Sequence, residues 1–85
     1  MDAACAQTAV RTRDDALIAA LTARRDALVT AWGMTDVKER KTAIKAAWKT
    51  YHSARKSAWK TFKDTMKKTC KVTDLSEDAG EGDGE

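Results

Sequence analysis

Few side chains in this 85-residue sequence could take part in chemistry. The candidates are two cysteines, a single histidine (His52) and the adjacent aspartates Asp14 and Asp15. A catalytic cysteine requires a base such as histidine, and a zinc site requires several Cys or His ligands at short spacing. No residue three or four positions from His52 is a carboxylate, and adjacent aspartates on a helix point about 100° apart. The sequence therefore predicts a protein that is not an enzyme and holds no cofactor or metal.

The two cysteines enclose a segment that favours helix. Between Cys5 and Cys70 there is no proline and one glycine, Gly33, and Ala, Lys, Arg and Leu are frequent. Two antiparallel helices would bring both cysteines to the open end of a hairpin, where we expect an intramolecular disulfide. The second helix would reach its cysteine about 10 Å beyond the first, which extended backbone over residues 5–8 would partly offset. An intermolecular bridge and two free thiols are the alternatives.

Apolar periodicity predicts the first helix over residues 7–32. Its large apolar residues share one face about a third of the circumference wide, which we interpret as the core stripe. They are Val10, Leu17, Ile18, Leu21, Leu28, Val29 and Trp32. Gly33 is then expected in the left-handed conformation at the helix end, and Thr35 is expected to cap the next helix.

The second helix is predicted over residues 36–71, which contain neither glycine nor proline. Its large side chains recur on a single face, at Val37, Ile44, Trp48, Tyr51, Trp59, Phe62, Met66 and Cys70. An eleven-residue repeat runs through it, because Ala47-Trp48-Lys49-Thr50-Tyr51 recurs as Ala58-Trp59-Lys60-Thr61-Phe62. This repeat favours a straight or slightly right-handed helix. The tryptophans at this spacing are expected in the core rather than on a base-stacking platform.

A tight turn between the helices fixes which residues face each other. It pairs Leu21 with Trp48, Ile18 with Tyr51 and Val10 with Trp59. It also places Asp14 opposite Arg55, two residues that interrupt otherwise apolar stripes. An ion pair between them would fix the register, and two boundary side chains that each reach solvent are the alternative.

Charge is distributed unevenly along the chain. Residues 1–35 hold four basic and four acidic side chains, whereas residues 36–71 hold twelve basic and three acidic ones. Eight lysines line the side of the second helix away from its aromatic stripe, at Lys38, Lys45, Lys49, Lys56, Lys60, Lys63, Lys67 and Lys71. This face is a candidate surface for a polyanion such as nucleic acid or anionic polysaccharide, with a membrane surface less favoured. A face that is merely solvated is the alternative.

One small domain is the most that this chain can form. Residues 1–71 are the predicted hairpin, and residues 72–85, with six acids and little apolar bulk, are a predicted disordered acidic tail. A two-helix hairpin has one core layer, whose burial barely offsets the entropy of ordering about seventy residues. We therefore expect self-association into a four-helix dimer or a larger array through stripes of small residues. The candidate positions are Ala16, Ala20, Ala23, Ala27, Ala43, Ala47, Ala54 and Ala58.

Two stretches carry a resemblance. RRDALVTAWGMTD and IKAAWKTYHSARKSAWKTF, with a cysteine near each end of the helical body, resemble uncharacterised small secreted Ala/Lys/Trp-rich proteins predicted from environmental bacterial genomes. The resemblance covers most of residues 5–71. It implies export followed by disulfide formation, and hence a mature form at the cell surface or outside the cell. The sequence as a whole predicts a non-enzymatic, self-assembling structural or interaction module, with a polyanion-binding or membrane-surface-binding protein as the alternative.

Overall fold

The structure, a computed structural model, describes residues 2–72, which form two α-helices and no strand. Helix α1 comprises Ala3–Trp32 and helix α2 comprises Val37–Lys68, and the two pack as an antiparallel hairpin. The predicted all-α hairpin is confirmed. Neither of these helices is long and apolar enough to cross a membrane. The predicted acidic tail lies, from residue 73 onward, outside the described residues.

An aspartate begins α1. The Asp2 carboxylate accepts a hydrogen bond from the Cys5 N–H at 3.0 Å, which satisfies one of the free N–H groups of the first turn. The helix therefore starts at Ala3, before the predicted boundary at residue 7. Residues 5–8 are helical, so extended backbone there does not offset the length mismatch between the helices.

The turn between the helices is closed by a second aspartate. The Asp36 carboxylate accepts a hydrogen bond from the Glu39 N–H at 3.0 Å, so Asp36 is the N-cap of α2 rather than the expected Thr35. Gly33 has a right-handed backbone, with φ of −84°, so the expected left-handed conformation is also wrong. Its N–H donates to the carbonyl of Thr30 at 3.1 Å, which tightens the last turn of α1.

The chain after α2 turns back toward the start of α1. Helix α2 ends at Lys68, before the predicted boundary at residue 71, and Lys71 has left-handed backbone with φ of 62°. The N–H of Val72 then donates to the carbonyl of Met66 at 2.8 Å. Val72 is buried, so it belongs to the folded body rather than to the predicted tail.

This reversal brings the two cysteines together. Cys5 and Cys70 form a disulfide, with their Cα atoms 5.4 Å apart. The predicted intramolecular pairing is confirmed. The expected mismatch in length between the helices is removed at the end of α2, where the helix stops and the chain folds back, and not at the start of α1.

Alanines line the contact between the two helices. Ala9, Ala20 and Ala31 of α1 are buried at eleven-residue intervals, and Ala47 and Ala58 of α2 are buried at the same interval. Methyl side chains at these positions let the helix backbones approach closely, because interaxial distance depends on the side chains at the contact. The hairpin is therefore held along most of its length by small residues.

The large apolar residues of α1 do not form its core stripe as predicted. The exposed ones are Ile18, Leu21, Val29 and Trp32, and the half-buried ones are Val10, Leu17 and Leu28. The predicted core stripe was defined by the large apolar side chains alone, without regard to alanine or arginine. The face of α1 that lies against α2 is instead defined by the buried alanines and by arginines that stack on aromatic rings of α2.

The first of these arginines, Arg13, is 8% exposed. Its Cζ lies 4.6 Å from the ring centre of Trp59 and 4.5 Å from that of Phe62, and the two rings pack edge to face. Its Nε donates to the Asp14 carboxylate at 2.9 Å. The ring faces and the carboxylate together supply the electrostatic partners that a buried guanidinium needs.

Arg24 repeats this arrangement eleven residues further along α1. Its Cζ lies 4.6 Å from the ring centre of Trp48 and 4.4 Å from that of Tyr51, again an edge-to-face pair. Because the helices are antiparallel, eleven residues forward on α1 match eleven residues back on α2. The two stacks fix the register. Trp48 and Tyr51 are thus covered by Arg24, where the sequence predicted Leu21 and Ile18, and that part of the predicted register is wrong.

The larger apolar cluster lies at the disulfide end. Its buried members are Ala9, Trp59, Phe62, Met66, Cys70 and Val72. The partly buried residues packed against it are Cys5, Ala6, Val10 and Leu17. Toward the turn, the buried side chains of the described chain are alanines. Trp48, expected in the core, is 41% exposed, whereas Trp59 is buried as expected. The two ends of the hairpin therefore differ in how much apolar surface they cover.

Replacing the stacked arginines should destabilise the hairpin more than replacing an exposed arginine. We expect Arg24→Ala to lower the free energy of unfolding by about 1–2 kcal/mol, and Arg13→Ala by more, because cation–π stacking and packing of the stem are both lost. Arg25→Ala is the control: Arg25 is exposed and pairs with Asp26, so its loss should cost less than about 0.5 kcal/mol. Urea unfolding at low micromolar concentration measures the difference. Equal effects of Arg24→Ala and Arg25→Ala would contradict the stacking role.

Reduction of the disulfide should also destabilise the protein. The bridge closes a loop with a sequence separation of 65, for which we expect a loss of about 2–4 kcal/mol on reduction. The melting temperature of the native protein should fall in reductant, whereas that of the double variant Cys5→Ala/Cys70→Ala should not change. Two titratable thiols in protein purified without reductant would show that this bridge does not form.

Candidate interaction surfaces

The cysteines and the histidine, which the sequence offers as candidates for chemistry, are bonded to or packed against other residues of the hairpin. Cys5 and Cys70 are joined to each other, and the described residues include no further cysteine. The His52 ring packs beside Trp48 and Tyr51, with ring centres 5.9 and 5.5 Å away. Within residues 2–72, no group of three or more His, Cys, Asp or Glu side chains is placed to hold a metal ion. The surfaces of the hairpin, rather than a cluster of reactive groups, are therefore the candidate sites.

The most prominent surface is an apolar band on α1, formed by Ile18, Leu21, Val29 and Trp32. Their side chains are 60%, 43%, 68% and 66% exposed. At 100° per residue they occupy an arc of about 80°, and the exposed Arg25, which pairs with Asp26, lies within the same arc between Leu21 and Val29. On α2, Val37 and Trp48 are also exposed large apolar residues. Several large apolar residues exposed on one face of a helix mark an interaction site on a soluble protein.

A second surface is a groove between the helices, lined mainly by alanine, threonine and serine. It consists of two open cavities of about 750 and 580 Å³, both of which Ala54 lines. We call it the small-residue groove. Its exposed alanines are Ala4, Ala16, Ala23, Ala27, Ala46 and Ala54. The groove is open because most of the side chains along it are small, and Arg13, Phe62, Arg24 and Tyr51 of the two stacks are among the larger residues that line it.

The positions predicted for self-association divide into two sets. Ala20, Ala47 and Ala58 are buried between the two helices at the base of the small-residue groove, and their role in association stays a prediction. Ala16, Ala23, Ala27, Ala43 and Ala54 line the small-residue groove, exposed or half-buried, and their role in association stays a prediction.

The third surface is the lysine face of α2. Seven of the eight predicted lysines are exposed and Lys63 is half-buried. Those within the helix fall in an arc of about 60° on the side away from α1. Lys60 pairs with Asp64 at 3.4 Å. The predicted lysine-rich face therefore exists as an accessible surface, and its ligand stays a prediction.

The predicted ion pair between Asp14 and Arg55 also stays a prediction. Asp14 accepts from Arg13, as described above, and its side chain is about half exposed. Arg55 is half-buried on α2, one turn before Trp59. The register that this pair was expected to fix is set by the arginine stacks. Sequence reasoning missed Arg13 and Arg24, although an eleven-residue repeat in α1 indicates them: Arg-X-Asp-Ala-Leu occurs at 13–17 and again at 24–28.

The hairpin thus presents an apolar band, a small-residue groove and a lysine face within residues 2–72. The band consists of large apolar residues and the groove mainly of small ones, both of which are common in the interior of helical proteins. The lysine face consists of charged side chains on one helix. Comparison with protein-family models, with curated proteins and with solved structures found no match to this chain.

Proposed function

We propose that this protein is a non-enzymatic interaction module that assembles with copies of itself through the apolar band. The observation that carries the proposal is the exposure of Ile18, Val29 and Trp32, each at least 60% accessible on a helix whose buried residues are alanines and an arginine. Full burial of one such side chain contributes about 1.5–3 kcal/mol. Covering the band would add apolar burial to the half of the hairpin near the turn, which the core cluster at the disulfide end does not reach.

The distribution of the core supports the same conclusion. The disulfide end has an apolar cluster and a covalent bridge, whereas the half near the turn is held by alanines and by Arg24 on Trp48 and Tyr51. The most exposed large side chains, Val29 and Trp32, lie in that thin half. Small domains usually need a further source of stability such as oligomerisation. Association through the band would supply it where the hairpin is weakest.

The disulfide also bears on the cellular location of this module. Structural disulfides persist in oxidising compartments, and we propose that the protein works outside the cell or at its surface.

Charge placed in the band should disrupt association without unfolding the hairpin. We expect Ile18→Glu and Val29→Glu each to weaken self-association at least 10-fold, because each buries a carboxylate in an apolar contact. Ser53→Glu is the control: Ser53 is exposed on α2 and lies outside both the band and the small-residue groove. Sedimentation equilibrium between about 10 μM and 1 mM, with circular dichroism for helicity, makes the comparison. A strictly monomeric wild type over this range would contradict the proposal.

A second candidate function is supported by the lysine face. Three acids among residues 36–71 leave most of these lysines without a carboxylate nearby in sequence, and the face is accessible along the length of α2. Such a surface suits the backbone of a polyanion, in which phosphates or sulfates repeat at short intervals. Nucleic acid and anionic polysaccharide share this chemistry, and an acidic membrane surface presents it in two dimensions.

Removal of charge from the lysine face should weaken such binding uniformly. For the triple variant of Lys49, Lys56 and Lys60 to Gln, we expect the slope of log affinity against log salt to fall by about 2–3. The control removes the same charge elsewhere, by changing Arg11, Arg25 and Lys68 to Gln. Fluorescence anisotropy with duplex DNA and with a heparin oligosaccharide measures both slopes. No retention of wild type by either polymer at low salt would exclude this second function.

A further inference from the structure

We infer that the self-assembly is heterologous: the apolar band of one copy lies in the small-residue groove of the next. The inference rests on the proposed self-association and specifies its geometry. Its occupant is a second copy of this chain, and the grounds are the placement, size, spacing and area of the two surfaces.

The two surfaces lie on opposite sides of the hairpin. The band residues Ile18 and Val29 and the groove residues Ala16 and Ala27 are about 160° apart around α1 at 100° per residue. The groove side of α2 is formed by small residues such as Ala54. A single copy therefore cannot cover its own groove with its own band. A neighbour stacked on either side can.

The surfaces are complementary in size. The band carries aliphatic side chains and a tryptophan, and the groove offers two open cavities of about 750 and 580 Å³ between small side chains. Band packed on band would leave the groove of each copy empty, and groove packed on groove would leave both bands in water. A band-in-groove contact covers one surface of each kind at once, and it places large side chains in the space above small ones, as in well-packed interiors.

The surfaces also share one spacing. Ile18 and Val29 are eleven residues apart, as are Leu21 and Trp32, which is about 16.5 Å along a helix. The two cavities are related by the same step: Ala16, Ala58 and Thr61 line the first, and Ala27, Ala47 and Thr50 line the second. Two sets of large side chains can therefore enter two cavities at once.

The area of the contact would extend beyond the band itself. The band covers about 21 Å of helix between Ile18 and Trp32, and the long axis of the molecule is 54 Å. A specific interface of standard size buries about 800 Å² on each partner, so residues that flank the band and the groove would also take part. Since a heterologous contact uses different surfaces on the two partners, it leaves a free band and a free groove at the ends of every open assembly.

Two variants with the same change in charge test this geometry. The band variant is Ile18→Glu/Val29→Glu, and the groove variant is Ala16→Glu/Ala27→Glu; all four positions are exposed on α1, and both pairs are eleven residues apart. We expect each variant alone to be monomeric at concentrations where wild type forms dimers and larger species. Mixed in equal amounts, they should form a heterodimer of twice the 9.3 kDa chain and nothing larger, because one intact band meets one intact groove. Sedimentation velocity and native mass spectrometry measure both.

Other outcomes separate this inference from the proposed function. A groove variant that assembles like wild type would show that bands pair with bands, which overturns the inference and leaves self-association standing. The inference is also overturned if both variants and their mixture are monomeric. Monomeric wild type would remove the proposed function as well. Flotation of monomeric wild type, but not of the band variant, with vesicles of neutral and anionic phospholipid would then identify the occupant of the band as lipid. Circular dichroism of each variant checks that the hairpin is intact.

Discussion

Arginine stacked on aromatic rings is the interaction on which the rest of this hairpin depends. Arg13 lies on Trp59 and Phe62, and Arg24 repeats the contact on the next aromatic pair. The buried alanines between the two helices define the register poorly, because a shift by one helical turn would replace one methyl contact with a similar one. A guanidinium over two perpendicular rings has one suitable position on each pair. Two such contacts fix both the register and the rotation of α1, and that rotation directs its alanines inward and its large aliphatic residues outward.

Much of the architecture could be predicted because it follows from local composition and covalent chemistry. The absence of proline, the single glycine at the turn and the period of the aromatic residues in α2 predict two helices, and the cysteines predict which ends meet. The orientation of α1 could not be predicted from the size of its apolar residues. Arg13 and Arg24 count as polar in any such ranking, and their value depends on rings that lie some 25 to 50 residues away in sequence.

The surfaces show the same division. The lysine face was predictable because it is a property of one helix alone, set by 100° steps along α2. The small-residue stripes were found in the sequence, but which members are buried depends on how the two helices pack. Ala20, Ala47 and Ala58 are buried between the helices at the base of the groove, whereas Ala16 and Ala27 line it as exposed residues. The apolar band emerged only as a consequence of the arginine stacks, since they turn that face of α1 away from α2.

The shared eleven-residue interval makes the length of this hairpin a modular quantity. A stack on α1, its aromatic pair on α2 and one cavity of the groove together form a unit about 16.5 Å long, and the described chain contains two such units. Inserting or deleting eleven residues in both helices would add or remove a whole unit and leave the caps, the turn and the disulfide unchanged in their relations. A change of any other length would break a stack. Such a protein could lengthen or shorten by one eleven-residue unit in each helix at a time, as repeat proteins do by whole repeats, while the disulfide still joins the open end.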